Sequence, residues 1–358
     1  MPTMNVTEEN PFRVLGLSVD ATDRQIAKRV NELSTLYEFG KVKSYDTDFP
    51  FISKLQRSPD AIERAASQIE LPEQKLFHAN FWFWSGNSID DLVYDVLKEG
   101  SVEKATALWQ RQTQSNSLST KNYSNYKNLA LLNLILSLRG DAPEHPRLTL
   151  AIRQFSAVFS HNNYAIFCTN VAGQTHASGA LDSEKAFVDE LAEHLNLFDS
   201  SADAQKAKKF ISSFNSSSEQ IQSHVKNRFL EAPIHRIETE LESMIDVRQR
   251  TPEKTYERAK YSFYSSVKED LKFLKTVLTD QDLHYQSIAD RVASELLMCS
   301  TAYFNACQKD DTTNETIGRA EELTSLAQKV AVGQATKNKV RDDLAHIKTL
   351  GMMHELRR

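Results

Sequence analysis

The chain has 358 residues, 40% of them hydrophobic, and a formal net charge of −5. That length accommodates about two or three domains with sizeable cores, and the acidic balance offers no electrostatic footprint for a polyanion, so nucleic acid is not an expected partner. Gly numbers 10 and Pro 9, low usage beside recurring Ala, Leu, Glu, Lys and Gln, which predicts an all-α chain.

Asn10 followed by Pro11 predicts a helix start, because Asn caps and Pro at the first helical position sacrifices no hydrogen bond. That short helix runs through Leu15 and ends at Gly16. Asp20 or Thr22 then caps a second helix, with Ile26, Val30, Leu33 and Tyr37 on its inner face and Arg24, Lys28 and Arg29 on the wet side. After Phe39, Gly40 and a polar loop, Ser58, Pro59 and Asp60 signal a third helix that buries Ile62, Ala65, Ala66 and Ile69. Leu71, Pro72 and Glu73 mark a break and restart, followed by the aromatic patch Leu76, Phe77, Phe81, Trp82 and Phe83.

From Ile89 a helix ending near Gly100 and another starting near Ser101 predict a hairpin, with Leu92, Val96 and Leu97 facing Ala105, Leu108 and Trp109. QSNSLST is a polar connection, Tyr123 to Leu138 a buried core helix, RGDAPEHPRL a turn, and Leu148 to Phe159 a helix facing inward through Ile152, Phe155 and Phe159. NNYAIFCTNVAGQTHASGALDS is the least helical stretch. Serine-rich segments at 199–202 and 213–218 suggest a mobile hinge around a short helix whose Lys206, Lys208 and Lys209 form a solvated face.

The remainder is strongly periodic. Ile234, Ile237, Leu241, Met244 and Ile245 line one helix. Thr251 caps the next, whose stripe is Ala259, Phe263, Val267, Leu271, Leu274 and Leu278. Asp280 or Asp282 starts another, running through Ile288, Val292, Leu296, Cys299 and Tyr303 to Cys307. A last long helix carries Ala320, Leu323, Ala327, Val330, Val340, Leu344 and Ile347, and together these predict a C-terminal bundle of long antiparallel helices or a coiled-coil-like stalk. The expected domains are 1–86, 87–200 and 220–358.

NPFRVLGLSVDATDRQIAKRV is similar to the opening of a J-domain, and IERAASQIELPEQKLFHANF resembles that family's third helix and its exit, a likeness covering roughly residues 9 to 80. It implies a three-helix J-like module that meets a heat-shock chaperone through the basic face of its second helix, Arg24, Lys28 and Arg29. The family's ATPase-stimulating His-Pro-Asp triplet is absent: Tyr37, Glu38, Phe39, Gly40 and Lys41 occupy that loop. The module therefore reads as a scaffold kept for packing or partner contact. LKEG followed by EKATALW resembles one tetratricopeptide-type unit, but no second copy follows at the period of about 34 residues, so an irregular helical-hairpin array is expected.

Motifs for chemistry are missing: there is no HExxH, GxxxxGK[ST], GxGxxG or GxSxG. His176 and Ser178 read as part of an ordinary polar loop. Cys168, Cys299 and Cys307 show no CxxC spacing, which speaks against a disulfide framework or zinc knuckle and for a reducing compartment, the cytoplasm. The N-terminus lacks a signal-peptide pattern, and no run reaches the roughly 18 to 20 apolar residues of a membrane helix. The dense stretch 289–305 reads as tight helix packing, with an interface as the alternative. Phe81, Trp82, Phe83 and Trp84 read as core joining the first module to the hairpin, with an exposed binding patch as the alternative.

No catalytic residue, cofactor or metal site is expected. The candidate partner-binding residues are Arg24, Lys28, Arg29, Phe81, Trp82 and Trp84. The function expected is a non-enzymatic, bacterial-type scaffold or adaptor for a protein partner, the alternative being a co-chaperone that recruits a heat-shock ATPase without the triplet. The oligomeric state is left open.

Overall fold

A computed structural model of the chain describes residues 7–41, 43–114, 117–139, 145–173, 179–197, 203–307 and 314–356. The fold is all-α, with no strand among the described residues. Those of Met1–Ala202 and Lys209–Val225 form one compact unit, and those of Asp203–Lys208 and Lys226–Arg358 a second. Residues 1–86 and 87–200, which the sequence separates, both fall in the first.

Unit 1 begins with α1 (Pro11–Leu15), α2 (Asp23–Glu38), α3 (Pro59–Ser67) and α4 (Pro72–Asn80). Asn10 caps α1 by accepting the Phe12 N–H. Thr22, rather than Asp20, caps α2 in a reciprocal box with Gln25. Gly16 ends α1 in the left-handed region at φ 62°, and a Cβ there would run into the Tyr45 ring, so the position needs glycine twice over.

The expected inner face of α2 is corrected. Leu33 is buried, Ile26 and Val30 are half-buried, and Tyr37 is 53% exposed, with Phe39 beyond it 72% exposed. The helix packs against α1 and α3, which cover only a narrow line along it. In α3, Ile62 and Ala65 are buried as expected and Ala66 is half-buried; Ile69, just past its end, is buried too.

Next come α5 (Ser88–Lys98) and α6 (Val102–Thr113), the expected hairpin, packed together. Leu92 is 50% exposed and Val93 buried in its place. The reason is Asp90: it takes the inner position in the first turn, so the buried row is Asp90, Val93, Val96 and Leu97. Then α7 (Tyr123–Ser137) is buried almost all round and packs against α8 (His145–Ser160).

The stretch read as least helical contains α9 (Asn163–Ala172), while 174–178, including His176 and Ser178, lie outside the described residues. Tyr164, Phe167, Cys168 and Val171 are buried at spacings of three and four, and this packing overrides the weak helix propensity of Asn, Thr and aromatic residues. After α10 (Ala180–His194) and α11 (Ala204–Ser213), the serine-rich segment at 213–218 is tied in rather than hinge-like: Ser213 Oγ meets Thr149 Oγ1 at 3.1 Å, and Ser217 Oγ meets Ser156 Oγ at 2.8 Å. Residues 199–202 lie outside the described ones.

Unit 2 takes most of α12 (Glu219–Arg250), then α13 (Thr255–Arg258), a π-helical turn at Ala259–Phe263, α14 (Tyr264–Leu278), α15 (Leu283–Cys307), α16 (Asn314–Val330) and α17 (Gln334–Leu356). The stripe from Ala259 to Leu278 is buried in full, and so are Ile288, Val292, Leu296, Cys299 and Tyr303. Thr251 does not cap; its hydroxyl donates to Val247 O instead. Asp282 starts α15 by accepting the His284 N–H at 2.9 Å. The last helix of the sequence reading is two, because Asp290 accepts the Val332 and Gly333 N–H groups and opens α17 there. Tyr303 meets Arg319 while Asp290 meets Val332, and Lys348 meets Glu321 while Gly351 lies by Ile317, so α15 with α16 and α16 with α17 run antiparallel.

Candidate functional site

Of the three basic α2 residues, Arg24 and Lys28 are exposed and Arg29 is turned inward. Its guanidinium donates to Leu15 O at 2.9 Å and Gly16 O at 2.6 Å, pairs with Glu32 at 3.1 Å, and lies 4.2 Å from the Tyr45 ring centroid. It thus satisfies carbonyls at the end of α1, where a helix leaves acceptors unpaired. Arg29 therefore serves the fold, with its side chain still 20% exposed.

The aromatic run is core. Phe81 stacks on Phe187, Phe83 on Trp109 at 5.9 Å, and Trp82 is fully buried. Trp84 is half-buried between Tyr123 and Phe167. Phe81 and Trp82 therefore present no binding surface, since burying such rings supplies the apolar area that holds short helices together. The same stacking joins the first helices to the α5–α6 hairpin.

Beneath this run lies a polar network that the sequence reading missed. Asp90 is fully buried and accepts from Trp109 Nε1 at 2.9 Å, Ser124 Oγ at 2.5 Å, Asn125 Nδ2 at 2.8 Å, Asn128 Nδ2 at 3.0 Å and the Gly86 N–H at 3.1 Å. Asn128 also holds Trp84 by both its N–H and its carbonyl. Lys127, buried on the same helix, donates to Trp82 O at 2.5 Å and lies 5.1 Å from the Phe167 ring. Burial pulls its ammonium down to about 7, opposed by the Asp90 carboxylate. The signal was present: YSNYKNLALLN sets Asn and Lys on every side of a helix otherwise apolar all round, and such groups need partners when buried. With no surface reaching it, the network fastens α5 and α7 to the 82–86 segment.

Other buried ionisable groups also hold backbone. Lys75 Nζ donates to Ala21 O at 2.7 Å, and Arg13 to Glu8 O and Ser53 O. His78 is buried, and desolvation lowers it to about 4. Among the described residues no group of three His, Cys, Asp or Glu side chains is arranged to hold a metal ion, and no helix is long and apolar enough to cross a membrane.

What unit 1 does expose is a groove of about 670 Å3 along the start of α6 and the end of α7. Phe51, Val102 and Leu136 form its apolar walls, and Arg139, Arg147 and Glu103 its charged ones. A second cavity of about 190 Å3 shares Phe51 and Arg139 and reaches His194 and Glu8. No known family model, curated protein or solved structure matches this chain.

Proposed function

We propose that this chain is a non-enzymatic scaffold or adaptor of bacterial type, working in the cytoplasm, whose J-like first module adds a docking surface for a protein partner and whose hairpin region is a tetratricopeptide-like array. The observation that carries this reading is the exposure of α2, with Arg24 and Lys28 in solvent on its first half and Tyr37 and Phe39, 53% and 72% exposed, at its far end. Exposed aromatic and arginine side chains are residue types enriched at protein-binding surfaces. The buried charged groups serve packing, which leaves such surfaces to act. Three cysteines without a disulfide suit a reducing compartment.

The test is photo-cross-linking from position 39 of the intact chain. A discrete protein adduct is expected, weakened when Arg24→Glu and Lys28→Glu are combined; equal capture by the reversed chain removes α2 as the surface. A second reading, a co-chaperone working without the His-Pro-Asp triplet, draws support from the exposure of Arg24 and Lys28 on the helix that the resemblance implies. Stimulation of a heat-shock chaperone ATPase by the chain, lost in the same double variant, would establish it over the scaffold reading. No stimulation is expected.

A further inference from the structure

We propose that the groove beside α6 and α7, together with the cavity behind it, is the docking site for an acidic, leucine-bearing peptide segment of the protein partner. The inference rests on the scaffold reading and adds to it a second surface with a stated chemistry. It starts from Arg139. This exposed guanidinium lies 5.7 Å from the Phe51 ring centroid and makes no ion pair with a described residue. It lines both the groove and the inner cavity, so a group bound at either meets it. An arginine fork over an aromatic ring keeps its planar donors for a carboxylate, which it binds through two parallel hydrogen bonds.

Three further features point the same way. In the groove Arg147 joins Arg139 against the single carboxylate of Glu103, while Glu8 lines only the inner cavity, so a ligand carboxylate is accommodated at the groove end. Gly100, Val102 and Glu103 place the start of α6, the positive end of that helix, in one wall of the groove. At the inner end, His194 Nδ1 is buried without a hydrogen-bond partner, and desolvation lowers the imidazole, keeping it neutral and able to donate a hydrogen bond in one tautomer. A buried polar atom left unsatisfied costs stability, and a ligand oxygen would relieve it.

Charge alone would suit any anion; the walls narrow the choice. Phe51, Val102 and Leu136 offer apolar surface that a small inorganic ion leaves unused. A chain net charge of −5 and only two guanidiniums do not suit a nucleic-acid backbone, whose binding needs many phosphate contacts. A peptide carrying both carboxylates and leucines uses the cations and the walls together.

The experiment uses the full chain and a fluorescein-labelled peptide of repeating Glu-Leu-Asp, read by anisotropy, with the Lys-Leu-Lys repeat as control. Saturable binding of the acidic peptide alone is expected, falling with ionic strength and weakened roughly ten-fold or more by Arg139→Glu, less by Arg139→Gln. Arg24→Glu on α2 should leave it unchanged. Arg139 is exposed, and tryptophan-monitored unfolding of each variant shows whether the fold is kept. Absence of saturable binding, equal binding of the basic control, or an affinity untouched by Arg139→Glu overturns the proposal. So does displacement by inorganic phosphate at concentrations matching the peptide, which would mark a simple anion site. If α2 cross-linking captures a partner while peptide binding fails, the scaffold reading stands and the groove falls; the opposite pair of results removes α2 and keeps the groove.

Discussion

Unit 1 and unit 2 are both helical, yet their interiors are built from different chemistry. In unit 1 the buried set includes Arg13, Lys75, Asp90, Lys127 and Glu184, together with stacked aromatic rings; among the described residues of unit 2, Glu295 is the one buried charged side chain. The core there is mostly Leu, Val, Ala and Ile along α12, α14, α15 and α16, with Tyr256, Phe263, Tyr285 and Tyr303 among them. Helix length accounts for the contrast. α12 has 32 residues and α15 has 25, so most of their backbone groups are satisfied within the helix. α1 has 5 residues, and α3 and α4 have 9 each, so unit 1 carries many helix ends and connecting segments close to its core. Those ends leave carbonyls that need donors. Lys75, Lys127, Arg13 and Arg29 supply them, reaching Ala21, Trp82, Glu8 and Gly16. A chain of short helices therefore buries charge as backbone glue, and a chain of long ones does not need to.

Breaking the buried polar network of unit 1 should give the largest effect. Asp90→Ala leaves buried donors of Trp109, Ser124, Asn125 and Asn128 unmatched, and is expected to destabilise unit 1 by about 3–5 kcal/mol. Denaturant unfolding followed by tryptophan fluorescence reads this directly, because Trp82, Trp84 and Trp109 all lie in unit 1. A loss under about 1 kcal/mol, the net value of one ordinary hydrogen bond, would mean the network is not cooperative.

In unit 2 the matching test is Arg248→Ala, which strands the buried Glu295 that Arg248 holds at 2.6 and 3.1 Å. The pair is partly open to solvent on the arginine side, so a smaller loss of about 2 kcal/mol is expected, followed by circular dichroism. A loss as large as that of Asp90→Ala would erase the contrast.

Lys127→Met tests the charge inside unit 1 through pH. The folded chain releases this proton at about 7 and the unfolded chain near 10.5, so between those values the unfolded state binds more protons and stability rises with pH. Below about 7 both states are charged and the burial cost is constant. The wild-type chain should therefore gain up to about 1 kcal/mol per pH unit through that window, a slope absent from the variant. Parallel stability curves for the two would show that Lys127 is not titrating there.

The smallest effect belongs to Leu92→Ser. Half exposed on α5, Leu92 lies outside the buried row, and a change within about 0.5 kcal/mol is expected in the same fluorescence assay. A loss above 2 kcal/mol would return Leu92 to the core.

The wrongly placed residues share one cause. The spacing of Leu92 predicts an inward position because an apolar residue there normally faces the core; Asp90 holds the inner position through partners on α6 and α7, more than a dozen residues away. Arg29 was put outside because a charged residue normally faces water; its acceptors belong to α1. The break between α16 and α17 escaped notice because its cap, Asp290, comes from α15. The groove was invisible for the same reason, since Phe51, Val102 and Arg139 are brought together from three separate segments.

The sequence by itself determined the helical class, the starts of α1, α3 and α4, and the apolar stripes of α14 and α15. These depend on capping groups and on a period of 3.6 residues, interactions that act over one or two turns. The aromatic run at 81–84 was already legible as core; only the tertiary structure decided which charged residues turn inward and where an uncovered groove remains. Burying a charge is tolerable only when a partner waits for it, and those partners come from distant parts of the chain.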